Sequence, residues 1–309
     1  LQFGQGTQNW SSNYDIELGL SENSKPYNYG TLGLDFNTLR VKYFYGFLDL
    51  DINNINRYIT GRGIEWTNKK SMIISLSEIV IFSGADRSFD FSYFNPMSTH
   101  LEIELNDRTN RLGSGNGNGI WQASIDAFFA SKIRFSANYL MDEFVMDREQ
   151  INDGKASGKA FSYKISYNHN FVTNKVLSIY YSKINIGTYT FRHQYGYNNF
   201  VQSGKPLGSI LGSDCIENKF GFIFLKGKKL ILDFSIGSII LGENNIKDNP
   251  YNPYEDYNLI PFPSGEIKST PFLSKKIQYF YNKTILFSYV INYGEIDFNY
   301  SKYFEEKKF

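Results

Sequence analysis

The stretch from Ile120 to Phe144 constrains the fold of this chain strongly, because polar and apolar residues alternate along it. Beyond Lys132 every second residue is apolar, up to Met141. Successive side chains of a β-strand point to opposite faces, so a period of two predicts a strand with one apolar and one polar face. A similar run covers 122–129, and only Ala130 and Ser131 separate the two runs. The stretch therefore predicts a tight antiparallel hairpin.

The same alternation returns along most of the chain. Typical segments have about 8–13 residues, close to the ~9–11 residues of a tilted membrane strand. The predicted strands are 2–7, 30–37, 39–49, 58–66, 71–82, 120–129, 133–142, 159–170, 175–184, 216–225, 229–241, 268–281, 284–292 and 295–304.

Short and long connections alternate between these strands. The predicted short turns are at Thr38, 67–70, 130–131, 172–174, 226–228 and 282–283. The long, polar connections are 50–57, 83–119, 143–158, 185–215 and 242–267. Outer-membrane barrels have short periplasmic turns and long extracellular loops. We therefore predict an all-β fold, a transmembrane antiparallel β-barrel of about 14–18 strands with this loop asymmetry.

The predicted barrel is a single domain over 1–309, located in a bacterial outer membrane. The sequence opens at Leu1 within a pattern and shows no signal peptide, so we interpret it as a mature chain or a fragment. Aromatic residues are abundant, with 27 Phe and 24 Tyr, which suits strands and a membrane–water boundary. A net charge of +1 gives no indication of nucleic-acid binding.

Charged residues on the polar faces of the strands are predicted to line the barrel interior. This interior set consists of Asp126, Lys132, Arg134, Lys164, Lys183 and Asp233. A charged interior is expected both for a water-filled path and for a plugged barrel with paired charges, so it leaves both readings open.

The sequence indicates no enzyme, metal or cofactor. The three histidines, His100, His169 and His193, lack metal-ligand spacing, and the single Cys215 excludes an internal disulfide. Residues 250–263 combine prolines with tyrosines. They suit a stiff external loop, or a platform on which tyrosine rings stack against sugars.

Four segments in the same order resemble the capsule assembly Wzi family of outer-membrane barrels, in the form common in Bacteroidetes. They are 3–26, 76–96, 139–144 and 193–214, which contain Leu-Ser-Glu-Asn-Ser-Lys-Pro, Tyr-Phe-Asn-Pro, Asp-Glu-Phe and Pro-Leu-Gly motifs. Gln5 stands where the family has Arg. The family barrel also has more strands, so we expect further strands within 83–119 and 185–215, or upstream of Leu1.

The resemblance implies a protein that binds or anchors capsular or extracellular polysaccharide at the cell surface. It brings no catalytic residues. The loop residues expected to bind ligand are Arg87, Tyr93, Asn95, His193 and Asp214. Alternatives are a porin-like solute channel, a scaffold subunit of a larger outer-membrane or secretion assembly, and a soluble β-rich carbohydrate-binding protein. The expected partners are membrane lipid or lipopolysaccharide, the polysaccharide and other envelope proteins, with no nucleic acid.

Overall fold

The computed structural model describes residues 1–13, 15–50, 55–84, 90–105, 117–142, 152, 157–171, 174–227, 229–253, 261–281 and 284–293. Within these ranges the chain is almost entirely β. The strands are β1 (Gln2–Gly6), β2 (Tyr27–Phe36), β3 (Leu39–Phe47), β4 (Asn56–Thr67), β5 (Met72–Gly84), β6 (Asn118–Phe129), β7 (Ile133–Asp142), β8 (Gly158–Phe171), β9 (Lys175–Ile186), β10 (Val201–Gln202), β11 (Lys205–Pro206), β12 (Cys215–Lys226), β13 (Leu230–Leu241), β14 (Lys268–Tyr281) and β15 (Thr284–Tyr293).

Thirteen of these strands form one sheet in the order β1 to β9 followed by β12 to β15, while β10 and β11 pair separately. Every paired neighbour is antiparallel, so the sheet is an up-and-down meander. The predicted all-β antiparallel fold is confirmed. The predicted strand 295–304 lies outside the described residues.

The long connections differ from the expectation of additional barrel strands. The described part of 83–119 contains two short helices, α1 (Phe91–Phe94) and α2 (His100–Leu105). The region 185–215 contains a 3₁₀ turn (Gly196–Asn198) and the two-residue strands β10 and β11. Among the helices that the structure describes, none has the length and apolar character needed to span a bilayer.

Short turns lie at one end of the sheet and long connections at the other, which we call the short-turn end and the long-loop end. Several short turns use the left-handed backbone region, with φ of 72° at Asn37, 48° at Ala130, 58° at Ser131 and 56° at Asn174. Positive φ gives a hairpin turn the twist of its flanking strands. The Ala130–Ser131 turn thus adopts this geometry without glycine, which is uncommon for such side chains.

The two faces of the sheet differ in chemistry. We call the face with polar, buried side chains the inner face; Ser124, Asn138 and Ser162 belong to it. The opposite, outer face carries large exposed apolar side chains, which form what we call the apolar belt. The belt includes Leu34, Phe36, Leu39, Ile64, Trp66, Leu76, Tyr139, Phe161, Ile165, Tyr167, Ile179, Phe220 and Ile236. Polar side chains on the inner face and apolar side chains on the outer face are the pattern of a membrane barrel. A soluble sandwich has the reverse pattern, with apolar side chains facing its core.

The described part of residues 7–26, which connect β1 to β2, lies against the inner face, and we call it the inserted segment. Its Trp10 ring packs edge-on against Phe44 of β3, with the ring centroids 5.3 Å apart. A Cβ on Gly19 would lie 3.3 Å from Ile79 of β5 and 3.0 Å from Ile120 of β6. One segment therefore contacts several neighbouring strands on the same face of the sheet. The inner apolar cluster also includes Ile16, Leu18 and Leu20, each at most 1% exposed.

Candidate functional site

Polar side chains of the inner face bind the backbone of the inserted segment. The amide of Gln122 accepts from Gly19 N at 2.9 Å and donates to Trp10 O at 3.2 Å. Ile16 O accepts from Asn138 Nδ2 at 2.9 Å and from Ser162 Oγ at 2.6 Å. Buried backbone groups need hydrogen-bond partners, and here the barrel wall supplies them. The polar inner face therefore holds a polypeptide segment in place.

Four of the six charged residues expected inside the barrel lie on the inner face, because each is an even number of positions from a buried inner-face residue of its own strand. They are Asp126, Arg134, Lys164 and Asp233. Arg134 donates to both carboxylate oxygens of Asp126, at 2.8 and 2.9 Å. Lys164 forms an ion pair with Asp15 of the inserted segment. The second pair thus joins the wall to the inserted segment by charge as well as by hydrogen bonds.

The other two predicted interior residues lie elsewhere. Lys132 is exposed in the turn before β7. Lys183 pairs with Tyr163 on the outer face, with its ammonium 5.9 Å from the ring centroid of Phe161. The register explains this correction, because Ile184 belongs to the inner cluster and its neighbour must point outward. On the outer face the lysine stem can lie along aromatic surface while the ammonium reaches toward water.

The long-loop end is closed by the described parts of residues 187–214 and 242–267, which we call the cap. Arg57 of β4 fixes the cap to the wall: its Nε donates to Tyr197 O at 2.6 Å, and its Nη2 donates to Asn199 O at 2.9 Å and to Val201 O at 2.8 Å. Its Nη1 pairs with Asp49 Oδ1 at 2.9 Å. The guanidinium is fully buried, so its planar fork sets the position of the loop.

Asp214, one of the predicted ligand-binding residues, is a buried structural hub in the cap. Its Oδ1 accepts from Thr188 Oγ1 at 2.8 Å and from Ser264 N at 3.0 Å. Its Oδ2 accepts from Asn244 N at 3.1 Å. The carboxylate thus joins three separate parts of the chain and is 0% exposed. Its contacts assign it to holding the cap together.

His193 is also buried within the cap. Its backbone N–H donates to Asn199 Oδ1 at 2.8 Å, and its ring Nδ1 accepts from Tyr195 N at 3.1 Å. Burial lowers the pKa of His193 to about 4, so the imidazole is neutral near pH 7. The adjacent Arg192 donates to Asn244 O, Asn249 O and Asn252 O at 2.9, 3.2 and 3.1 Å, which joins the two halves of the cap.

Two other predicted ligand-binding residues lie outside the barrel wall, on residues 90–105, which we call the outer-wall segment. Tyr93 is 0% exposed and stacks on Phe82 of β5 with the ring centroids 4.2 Å apart. Asn95 is exposed, and its Nδ2 donates to Ser98 Oγ at 2.8 Å. Arg87 lies outside the described residues. The structure therefore separates Tyr93 and Asn95 from His193 and Asp214.

The cap carries an aromatic pair that the sequence analysis did not identify. Tyr195 and Tyr197 are stacked, with the ring centroids 5.3 Å apart and the planes 4° from parallel. Tyr195 is 38% exposed and follows the exposed Gln194. A Cβ on Gly196, between the two tyrosines, would lie 1.8 Å from Tyr251 O, so only glycine permits this close approach. The signal in the sequence was the Tyr-Gly-Tyr spacing inside a long loop.

The described side chains at the exposed end of the cap are aromatic and amide groups. Within the ranges that the structure describes, no three His, Cys, Asp or Glu side chains converge as a metal site. Asp214 and His193 make hydrogen bonds within the cap. The exposed part of the site offers an aromatic ring pair beside an amide, which suits a ligand with both apolar faces and hydroxyl groups.

Comparison with known proteins supports the fold. No protein-family profile and no curated protein sequence matches this chain. Among solved structures, the chain is similar to Wzi of Escherichia coli, described as a carbohydrate-binding β-barrel involved in group 1 capsule assembly, with a TM-score of 0.67 and 13% identity. The match covers 95% of this chain and 63% of Wzi, so the chain spans less than two thirds of that protein.

A weaker likeness is to BamA of Haemophilus ducreyi, with a TM-score of 0.42, 9% identity, and coverage of 89% of this chain and 59% of BamA. The Pseudomonas aeruginosa siderophore receptor PirA has a TM-score of 0.34 and 8% identity, with coverage of 94% of this chain and 54% of PirA. The similarity to Wzi agrees with the alternation and the loop asymmetry of the sheet. This chain has the fold of an outer-membrane β-barrel.

Proposed function

We propose that this chain is a barrel of the bacterial outer membrane that binds capsular or extracellular polysaccharide at the cell surface. The long-loop end faces outward, and the stacked pair Tyr195 and Tyr197 forms the sugar-contacting surface. The observation that carries this proposal is an exposed aromatic stack on a cap that the barrel wall holds rigid.

Rigidity of this pair favours binding, because a surface that is already ordered loses little entropy when a ligand docks. Arg57 holds the carbonyl of Tyr197, and Gly196 packs directly against the backbone of Tyr251. Sugar rings have apolar C–H faces that can lie on an aromatic ring, while the amide of Gln194 can exchange hydrogen bonds with hydroxyl groups. The near-neutral chain offers no large charge to attract a polyanion, so recognition rests on these shorter-range contacts.

The filled interior favours binding over a porin-like channel. The inserted segment occupies the inner face through Gln122 and Asn138, and the cap lies over it, with Ser209 N donating to Leu18 O at 2.9 Å. Wzi, whose fold is similar to that of this chain, is itself described as carbohydrate-binding. Both points support a surface role in which the barrel is a platform for the cap.

The direct test is binding of detergent-purified protein to immobilised capsular and extracellular polysaccharide from the source organism. Tyr195→Ala removes the exposed ring, and loss of a central aromatic contact is expected to weaken binding by about tenfold, equivalent to ~1.4 kcal/mol. Tyr195→Phe keeps the stack and should stay close to the unaltered protein. Ile210→Ala is the matched control, because Ile210 is 60% exposed on the same cap.

Two results would contradict the proposal at different levels. Undiminished binding by Tyr195→Ala, or an equal loss in Ile210→Ala, would remove the tyrosine pair as the contact surface. Failure of the unaltered protein to retain any of the polysaccharides, with its heat-modifiable gel mobility intact, would refute the function itself.

A further inference from the structure

The outer-wall segment covers charged residues that point out of the barrel. Glu78 of β5 pairs with Trp121 of β6, whereas its neighbour Ile79 pairs with Ile120 of the inner cluster. Glu78 therefore faces outward. Arg62 of β4, its partner across the strands, lies with Nε 3.2 Å from Glu78 Oε2. Both side chains are buried, at 10% and 1% exposed.

Contacts between the outer-wall segment and the wall provide this cover. His100 N donates to Glu78 Oε1 at 3.0 Å, and Arg62 Nη1 donates to Asn95 O at 3.4 Å. The His100 ring lies so close to β6 that a Cβ on Gly119 would be 2.5 Å from its Cδ2. An ion pair exposed to hydrocarbon is unfavourable, so this part of the wall needs a protein cover. The segment thus projects from the barrel on the face that otherwise carries the apolar belt.

An apolar groove runs between this projecting segment and the outer face of β1 to β3. Its volume is about 750 Å³. The groove is lined mainly by Phe3, Leu32, Tyr43, Tyr45, Phe47 and Phe94. Gly30 forms part of the floor, where the Phe3 ring lies over the backbone, 2.9 Å from the position of a Cβ.

The groove is continuous with the apolar belt and lies in the long-loop half of the sheet. Leu32 lines the groove, while Leu34 and Phe36 continue along the outer face of β2 toward the short-turn end. Phe94 is 49% exposed and Met97 is 85% exposed at the edge of the outer-wall segment. Apolar side chains exposed together beside a lipid-facing belt indicate contact with membrane rather than with water.

We propose that this groove is a binding site for an acyl chain of lipopolysaccharide in the outer leaflet. The inference rests on the outer-membrane location and orientation in the proposed function, but it does not depend on glycan binding. The long-loop half of the wall lies at the level of the outer leaflet, whose lipid is lipopolysaccharide. A groove with one apolar wall on the barrel and another on a helix surrounds a linear chain more completely than a flat barrel face does.

The test measures lipopolysaccharide retained by the purified barrel after detergent washing, by native mass spectrometry. Rough-type lipopolysaccharide and phospholipid are offered in separate arms. Leu32→Trp fills the groove and is expected to reduce lipopolysaccharide retention at least about tenfold, since a blocked groove removes most of the buried chain contact. Leu34→Trp is the matched control, two residues further along the same outer face and outside the groove lining.

A second variant tests the groove without altering β2, in which Leu32→Trp could disturb folding. Phe94→Ala changes only the outer-wall segment and removes one wall of the groove, so it should also lower retention while the heat-modifiable gel mobility stays unchanged. Equal retention by Leu32→Trp and Leu34→Trp, or unaltered retention by Phe94→Ala, would overturn the site. Retention of phospholipid in place of lipopolysaccharide would overturn the assigned lipid.

The same variants separate this inference from the polysaccharide proposal. Leu32→Trp should bind polysaccharide like the unaltered protein, because the groove and the Tyr195–Tyr197 pair lie on different parts of the molecule. Lipid retention without polysaccharide binding would refute the proposed function alone. Polysaccharide binding with no groove-dependent lipid would refute the lipid site alone.

Discussion

Replacing Arg57 by methionine should release the cap from the barrel wall. The methionine keeps an apolar stem of similar length but removes every donor of the guanidinium. Three carbonyls, those of Tyr197, Asn199 and Val201, then lose the donor that holds them. Asp49 loses its buried cationic partner as well.

The magnitude follows from these contacts. Removing one member of a buried ion pair destabilises a protein by about 3–5 kcal/mol. The lower value applies here, because the Asp49 side chain is 25% exposed and also accepts hydrogen bonds from Ser203 N and the Tyr251 hydroxyl. A change of about 3 kcal/mol corresponds to roughly a hundredfold increase in the local opening equilibrium of the cap.

Hydrogen–deuterium exchange in detergent micelles measures this opening directly. The amides of Asn198 and Phe200 donate within the cap, to Tyr195 O at 2.8 Å and to Phe191 O at 3.0 Å, so they report its integrity. Both should exchange about a hundredfold faster in Arg57→Met. Strand amides on the opposite side of the barrel should keep their protection.

Arg40→Met is the matched control. Arg40 pairs with Asp35 and Glu65 near the short-turn end, but its side chain is 47% exposed, and exposed pairs contribute only about 0–1 kcal/mol. Less than about threefold faster cap exchange in Arg57→Met would correspond to under ~1 kcal/mol and would refute the reasoning. The same conclusion would follow if Arg40→Met released the cap equally.

Two further predictions concern the inserted segment. In Gly208→Ala the new Cβ would lie 1.7 Å from Leu18 O, so the cap or the inserted segment must shift and the thermal midpoint of unfolding should fall. Gly33→Ala is the control: no atom lies within 4 Å of its Cβ position, so the thermal midpoint should change little. Burial raises the pKa of Glu17 from 4.5 to about 7, so the folded protein favours the neutral acid. The stabilisation that this gives is complete below pH 4.5 and is lost as the pH rises through 7. The thermal midpoint should therefore fall between about pH 5 and about pH 8, and this decrease should be smaller in Glu17→Gln, which cannot ionise. An equal decrease in both proteins would contradict the raised pKa of Glu17.

Strand positions could be predicted from the sequence because they depend on local pattern. The predicted bounds of 133–142 and 268–281 agree with β7 and β14 at both ends, since apolar alternation and polar turns act over a few residues. The inserted segment depends instead on distant partners. Ile16 and Leu18 alternate like strand residues, but the groups that hold their backbone, such as Asn138, are over 100 positions away. Neither pattern nor spacing reveals that pairing.

The ligand-binding residues were predicted by residue type and loop position, which does not distinguish an exposed contact from a buried hub. Asp214 and the His193 ring turned out to accept hydrogen bonds from the backbone of the cap, and buried polar groups usually have such partners. The outer-wall cover did leave a signal. Arg62 and Glu78 occupy outward positions whose neighbours on the same face of β4 and β5 are mostly apolar, and two charges at such positions require a protein partner.

The inner face shows why alternation alone could not distinguish a channel from a closed binding platform. Ser162 and Gln122 are polar, as they would be in a water-filled pore, but their hydrogen bonds go to the backbone of the inserted segment. An amide or hydroxyl side chain that binds polypeptide has the same sequence signature as one that binds water. The distinction therefore comes from where the residues between β1 and β2 lie. Among the described residues of the long-loop end, the cap keeps exposed side chains once the inserted segment fills the inner face, and its Tyr195 ring is the surface to test first.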